Sequence, residues 1–127
     1  MTIFINCIFV ALGGMIGSVS RYLLGLVPIK PSSGFPVITF IINIAGAFAI
    51  GLIAGALQKN SSLNPQLVLL LKVGVCGGFT TFSTFSLESL TLMQNGHIVT
   101  AALYIGASVL FGILAVLCVE LLVRSSA

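Results

Sequence analysis

A run of hydroxyl and aromatic side chains in the third apolar segment is the part of the chain whose residue types best suit chemistry. From Gly77 to Ser89 the sequence reads Gly-Gly-Phe-Thr-Thr-Phe-Ser-Thr-Phe-Ser-Leu-Glu-Ser. Hydroxyl and carboxyl groups are costly inside a bilayer, where they usually mark ion pathways or bonds between helices. The run therefore indicates a polar feature inside an otherwise apolar protein.

The two adjacent glycines of this run predict an interruption of the helix. They are followed by hydroxyl-bearing residues that form helices poorly, so we expect a break near residues 76–81 and a new helix from about Phe82. Amide groups that begin the second half can bind an anion, and carbonyls that end the first half can coordinate a cation. Ion handling is therefore the leading class of function.

Phenylalanines alternate with hydroxyls on the second half of this segment. At about 100° per residue, Thr81, Thr84 and Phe85 share one helix face with Glu88, and Phe82 lies on the adjacent face. An aromatic ring has a positive edge, so ring edges along a narrow path favour an anion without a full charge that would trap it. The alternative for both phenylalanines is contact with lipid or core.

Glu88 has two interpretations that the sequence leaves open. It is either a proton-coupling carboxylate or a structural anchor that accepts hydrogen bonds from nearby hydroxyls, and we favour the anchor. Glu120 lies near the end of the last segment, where we expect it to reach the interface.

Polar residues in the other segments extend the hypothesis of an ion path. Asn43 is an amide in the middle of the second segment with Thr39 on the same face, and it either donates to a passing anion or ties two helices together. In the fourth segment Tyr104 and Ser108 belong to a polar track with a four-residue spacing, which is equally a packing stripe. Arg21, near the end of the first segment, either reaches outward to the interface or attracts anions into a vestibule.

The composition identifies the environment in which these residues must be positioned. The chain has 127 residues, of which 58% are hydrophobic and 6% charged. A bilayer core of about 30 Å takes about 20 helical residues, so four crossings leave only short loops and no soluble enzyme domain. We therefore predict an all-α membrane protein with a single four-helix domain over residues 1–127, whose crossings run over about 3–26, 35–57, 67–93 and 98–123.

The basic residues are almost evenly divided between the two sides of the membrane. Lys59, Lys72 and Arg124 lie on the side of both termini, and Lys30 and Arg21 lie on the other, three against two. Because this asymmetry sets orientation, a balanced chain inserts in both directions, which makes an antiparallel homodimer possible. So few charges also exclude a nucleic-acid partner.

Small residues at four-residue spacing predict close helix packing, and the cysteines carry no metal motif. The spacing occurs in Gly13/Gly17, Gly51/Gly55 and Gly74/Gly78. Cys7, Cys76 and Cys118 have neither CxxC nor Cys/His spacing, so we expect them to be small buried hydrophobic residues.

Three motifs carry a resemblance to a known family. They are Gly13-Gly14-x-x-Gly17-x-x-x-Arg21-Tyr22, Thr39-x-x-x-Asn43-x-x-Gly46, and the third-segment string from Gly74 to Glu88. With these motifs the chain resembles the small fluoride channels of the Fluc, or CrcB-like, family, and the likeness covers all four segments.

The resemblance implies a passive fluoride channel in the bacterial plasma (inner) membrane and not an enzyme. It implies a dual-topology, antiparallel homodimer with two separate fluoride pathways and a third helix broken in mid-membrane. In such proteins the two breaks meet at the dimer axis and hold a structural sodium ion (Na⁺) through backbone carbonyls, which correspond here to Gly77 and Thr80.

The residue patterns and the resemblance together give a set of expected site residues. The expected fluoride pathway comprises Asn43, Phe82, Phe85, Thr39, Ser83, Thr84, Tyr104 and Ser108. Arg21 is expected in a vestibule and Glu88 as a structural anchor. Beyond Ser108 the chain has Gly112 and Val116, so no hydroxyl continues the track there.

Two other functions fit parts of the sequence. A proton-coupled small multidrug transporter would share the four crossings and the antiparallel dimer, with Glu88 as its titrating group. The chain has no Trp and only two Tyr, however, which is a poor supply for an aromatic site for cationic drugs. A structural membrane subunit would explain the packing glycines but not the costly hydroxyls.

Overall fold

The computed structural model describes residues 1–126, and every regular element in that range is helical. In chain order the elements are α1 (Thr2–Gly25), α2 (Val37–Lys59), α3 (Pro65–Val68), a π-helix (Leu69–Cys76), α4 (Gly77–Phe79), α5 (Phe82–Gln94) and α6 (Ile98–Ser125). Four helical stretches are long and apolar enough to cross a membrane, namely α1, α2, α6 and the third span, Pro65–Gln94. The predicted all-α class with four crossings is confirmed.

Turn residues and caps determine where the helices begin. The side chain of Asn64 accepts hydrogen bonds from the amides of Gln66 and Leu67, so it caps α3, whose first residue is Pro65. Between α5 and α6 the chain turns at Gly96, where φ is +82°. That left-handed conformation favours glycine, so α6 can start two residues later.

The third span departs from regular α-helix in two places. Its first half contains the π-helix, which nothing in the sequence indicated. Gly77 is helical, with φ −65° and ψ −38°, whereas Thr80 and Thr81 are extended, with ψ values of 158° and 114°. The extended residues are therefore the two threonines and not the glycine pair on which the sequence prediction rested.

Hydrogen bonds explain why the chain is extended at these threonines. The amide and the hydroxyl of Thr80 both donate to the carbonyl of Cys76, at 3.0 and 2.9 Å, which completes the first half. The hydroxyl of Thr81 accepts from the amide of Thr84 at 3.2 Å and so caps α5. A Thr is well suited to an N-cap because its short side chain satisfies an amide that has no helical partner.

Glycines allow α1 to lie directly against the first half of the third span. A Cβ added to Gly13 would lie 2.9 Å from the Cα of Gly74, and one added to Gly17 would lie 2.7 Å from the amide nitrogen of Phe79. Gly55 of α2 similarly faces α6. These distances are too short for a side chain, so the packing role predicted for the glycine pairs is confirmed.

The interior of the chain is small. Tyr104 and Val119 of α6 are fully buried, and Tyr104 forms a cluster with Leu92 and Ala101. The expectation that the cysteines are buried is correct for Cys76 but wrong for Cys7 and Cys118. Those two lie on outward faces of α1 and α6, because a four-helix chain of this size leaves much of each helix uncovered.

Candidate functional site

Asn43 and Thr81 join α2 to the extended residues of the third span. The amide nitrogen of the Asn43 side chain donates to the carbonyl of Thr81 at 3.1 Å, and its oxygen accepts from the amide of Thr81 at 2.8 Å. One side chain thus satisfies both backbone groups of a residue that has left the helix. The interhelical tie that the sequence left open for Asn43 is present in the structure.

A cavity of about 370 Å³, called here the Phe82 cavity, lies on one side of this junction. Its lining includes most of the predicted pathway and cation residues, namely Asn43, Gly77, Thr80, Phe82, Phe85 and Ser108, together with Thr81. Phe82 is 80% exposed in the single chain, so its ring forms an open wall of the cavity. The hydroxyl oxygen of Ser108 is buried and has no hydrogen-bond partner within residues 1–126.

A second cavity of about 430 Å³, called here the Arg21 cavity, lies on the other side. Its polar lining comprises Ser18, Arg21, Tyr22, Thr39, Thr81, Thr84 and Glu88. The Nε of Arg21 donates to the carbonyl of Gly78 at 3.1 Å, which ties the guanidinium to the third span. The guanidinium is therefore held at this cavity, and its role in a vestibule stays a prediction.

Thr81 is the residue that the two cavities have in common. Its hydroxyl donates to the hydroxyl of Thr84 at 3.0 Å and lies 3.4 Å from that of Ser83. Ser83 is exposed and lines neither cavity, so this predicted pathway hydroxyl lies off the route, as does the buried hydroxyl of Tyr104. The sequence put Thr81 on the polar helix face but gave no sign that it would lie between two cavities.

Glu88 is held by two hydroxyl donors. The hydroxyl of Thr39 donates to one carboxylate oxygen and that of Tyr104 donates to the other, each at 2.8 Å. Tyr104 is fully buried and lines neither cavity, so its hydroxyl is committed to this contact. The arrangement matches the structural anchor that we favoured for Glu88.

Aromatic rings connect the cavity wall with the core. The ring centroids of Phe82 and Phe85 are 5.7 Å apart, and those of Phe85 and Tyr104 are 5.1 Å apart. Phe35, in the loop before α2, contacts Tyr104 at 5.3 Å. The sequence analysis missed Phe35, for which the available signal was an aromatic residue just before Pro36 at a helix start.

The carbonyls of Gly77 and Thr80 are left without helical partners. The amide of Thr81, which a continuous helix would pair with Gly77, is bonded to Asn43, and the amide of Thr84, which would pair with Thr80, is bonded to the Thr81 hydroxyl. Within residues 1–126 neither oxygen receives another hydrogen bond. Both residues line the Phe82 cavity.

Comparisons with known proteins agree on one family. Residues 8–119 match the family model described as "CrcB-like protein, Camphor Resistance (CrcB)". A protein of Flavobacterium psychrophilum named "Fluoride-specific ion channel FluC" is 48% identical over 108 residues, which cover 84% of this chain and 87% of that protein. A protein of Shewanella halifaxensis with the same name is 49% identical over 105 residues, which cover 82% of this chain and 84% of that protein. In Ruminiclostridium cellulolyticum the identity is 43% over 97% of this chain and 95% of the relative.

Proposed function

The chain belongs to the CrcB-like family, and from that membership we propose that it is a fluoride channel in which the ion passes Thr81 between the two cavities. The family is one of ion channels and not of enzymes. The chain accordingly is an integral membrane protein, and its polar residues serve the passage of an ion rather than a catalysed reaction. The observation that carries the proposal is that Thr81 lines both cavities.

The chemistry along this route suits a small, strongly hydrated anion. Fluoride must exchange its water for hydrogen-bond donors while still being able to leave. The guanidinium of Arg21 attracts the anion into the Arg21 cavity, where one of its five N–H groups is bonded to Gly78. In the Phe82 cavity the unpaired hydroxyl of Ser108 and the ring edges of Phe82 and Phe85 replace further water.

A second copy of the chain completes the walls of the path. Phe82 is 80% exposed, and the Phe82 cavity is open on the outside of a single chain. Polar backbone at membrane depth must be covered by protein or line a water-filled space, so the extended threonines need a partner. With basic residues divided three against two, the two copies insert in opposite directions, and the antiparallel homodimer has two equivalent fluoride paths.

The unpaired carbonyls of Gly77 and Thr80 fit a structural sodium ion at the dimer axis. Two copies related by a two-fold axis supply 2 × 2 = 4 carbonyl oxygens, which are hard ligands suited to an alkali cation. The ion would neutralise the converging carbonyl dipoles and thereby hold the two copies together. Its expected signature is loss of dimer stability when sodium is exchanged for a large organic cation, and an unchanged dimer would contradict it.

The proton-coupled transporter is the weaker alternative. Such a protein needs a carboxylate that is free to exchange protons in its binding site. Both oxygens of Glu88 already accept hydrogen bonds, from Thr39 and Tyr104. Passive export down the fluoride gradient across the bacterial inner membrane requires no such group.

Fluoride efflux from liposomes that contain the purified protein tests the proposed function. We expect rapid fluoride efflux with no proton gradient and little chloride efflux from matched vesicles. Efflux that depends on a proton gradient would favour the transporter, and passage of neither ion would favour a structural subunit. Protein-free liposomes are the control for leakage of hydrogen fluoride.

Tag accessibility in intact cells tests the antiparallel arrangement. Tags on the unmodified chain should be reachable from both sides of the membrane. Two extra Lys residues in the loop between α1 and α2 should force one orientation and lower fluoride efflux, because the copies can then no longer pair. Co-expression with a chain biased in the opposite direction should restore the efflux, whereas one uniform orientation of the unmodified chain would contradict the model.

A further inference from the structure

We propose that Phe35, a loop residue outside both cavities, is a positioning residue for the ion path. Its ring holds the ring of Tyr104, and Tyr104 in turn positions the carboxylate of Glu88 and the ring of Phe85. The inference rests on the proposed function, because the path it concerns is the one proposed above.

The backbone on both sides of Phe35 is held in one conformation. The amide of Gly34 donates to the carbonyl of Pro31 at 2.9 Å, and Gly34 has a left-handed φ of +74° that favours glycine. The amide of Phe35 donates to the hydroxyl oxygen of Ser33 at 3.3 Å. Pro36 follows and restricts the next φ to −77°. The loop therefore presents the Phe35 ring from a restrained position.

The Phe35 ring contacts Tyr104, whose side chain is fully buried. Its centroid is 5.3 Å from that of Tyr104, with an angle of 77° between the ring planes, which is an edge-to-face contact. Tyr104 is fully buried and also contacts Phe85 at 5.1 Å. The orientation of the Tyr104 ring is thus set by two aromatic neighbours, one from the loop and one from the cavity wall.

The orientation of the Tyr104 ring determines where its hydroxyl meets the carboxylate of Glu88. Its hydroxyl donates to Glu88 at 2.8 Å, and the other oxygen of that carboxylate accepts from Thr39. Hydrogen bonds weaken steeply as their angle deteriorates, so a rotated ring would release Glu88 toward the Arg21 cavity, which it lines. The same rotation would free the ring of Phe85, which lines the other cavity.

Phe35 acts only at a distance, because it lines neither cavity. This separates it from Phe82 and Phe85, whose rings face the path directly. An edge-to-face aromatic contact corresponds to about a two- to tenfold change in an equilibrium, so we expect an effect of that size on flux.

Tyrosine absorption gives a readout that a merely structural role would not change. The chain has no Trp and two Tyr, so Tyr22→Phe leaves Tyr104 as the sole phenol and serves as the reference protein. In that background Phe35→Leu keeps an apolar side chain but removes the ring. The matched control is Phe48→Leu, which removes a partly exposed ring of α2 that takes no part in these aromatic contacts.

The expected result is a linked change in spectrum and flux. Phe35→Leu should shift the Tyr104 absorption band to shorter wavelength, as for a phenol that donates less strongly to a carboxylate, and lower fluoride efflux about two- to tenfold. Phe48→Leu should change neither. Ser33→Ala, which removes the acceptor for the Phe35 amide, should give a smaller shift in the same direction and decides the matter if Phe35→Leu does not fold.

Two results would overturn the inference. If the Tyr104 band is unchanged in Phe35→Leu, or in Ser33→Ala when that variant decides, Phe35 does not set the ring. If the band shifts and the efflux stays at the reference rate, the ring does not position the path. Failure of the proposed function is distinct, since the unmodified chain itself would then pass no fluoride.

Discussion

The side chain of Asn43 and the backbone of Thr81 exchange two hydrogen bonds, at 3.1 and 2.8 Å, and thereby fix an extended residue between two cavities. The pairing takes the amide of Thr81 away from the carbonyl of Gly77. It also leaves the Thr81 hydroxyl free to cap α5. One interhelical amide therefore explains the end of one helix, the start of the next and an exposed carbonyl.

Asn43→Ala should destabilise the protein and reduce fluoride efflux. The change leaves the amide and carbonyl of Thr81 unpaired, which costs about 1–3 kcal/mol in the free energy of unfolding. The matched control is Asn6→Ala in α1, because the side-chain oxygen of Asn6 has no hydrogen-bond partner within residues 1–126. Thermal unfolding in detergent and liposome efflux should change for Asn43→Ala alone, and equal behaviour of the two variants would argue against the tie.

Phe82→Ile and Phe85→Ile should both reduce efflux but differ in stability. Ile keeps an apolar side chain and removes the polarised ring edge. Phe85 packs against Tyr104 at 5.1 Å, whereas Phe82 is 80% exposed. In the isolated chain Phe85→Ile should therefore lower the unfolding temperature, and Phe82→Ile should leave it nearly unchanged. Parent-like efflux of both variants would remove the rings from the path.

Glu88→Gln should lower the free energy of unfolding, and its fluoride efflux should still require no proton gradient. A Gln side chain has one acceptor oxygen in place of two, so the hydroxyl of either Thr39 or Tyr104 loses its partner, at about 1–3 kcal/mol. The control is Glu120→Gln, which removes an exposed ion pair with Arg124 worth about 1 kcal/mol or less. Complete loss of efflux with unchanged stability would instead indicate a proton-coupling carboxylate.

Gly17→Ala and Gly14→Ala should change the stability of the protein in opposite directions, although the two residues are only three positions apart in α1. A methyl group on Gly17 would lie 2.7 Å from the amide nitrogen of Phe79, whereas one on Gly14 has open space within 4 Å. Overpacking costs about 1–3 kcal/mol, and Ala is about 1 kcal/mol better than Gly in a helix. Unfolding measurements should show destabilisation only for Gly17→Ala. A stable Gly17→Ala protein would mean that α1 does not pack so closely.

The four helices follow from the sequence because a membrane span depends on local composition. About 20 apolar residues between turn formers are sufficient to specify one, and each observed boundary lies within two residues of the expected position. The glycine pairs were predictable for a similar reason, since four-residue spacing puts them on one helix face. The π-helix was not, because its residues, Leu69–Cys76, have no local preference that separates it from α-helix.

The site was predictable in its residues but not in its connections. Costly polar residues such as Asn43 and Glu88 attract attention from the sequence alone. Their partners, Thr81, Thr39 and Tyr104, are 16 to 49 positions away, so the bonds depend on how helices pack. The extended Thr80 and Thr81 lie within the interval 76–81 expected from the sequence, but the bonds to Asn43 and the Thr81 cap that set their conformation could not be predicted from the glycine pair.

The most direct test of the proposed path is fluoride efflux through Thr81→Val, which removes the hydroxyl where the two cavities meet. Thr81→Ser keeps that hydroxyl and its bonds to Thr84, and Thr91→Val removes one that bonds only to its own helix, at Leu87. Each protein is reconstituted in liposomes, and initial fluoride and chloride efflux are compared. The Thr81 hydroxyl donates to Thr84 and must turn from that bond to the passing ion, and a hydrogen bond to an ion corresponds to about 1.5–3 kcal/mol, so we expect Thr81→Val to lose about tenfold or more of the fluoride efflux. Thr81→Ser and Thr91→Val should remain close to the parent, and a folded Thr81→Val protein with parent-like fluoride efflux would contradict the proposed path.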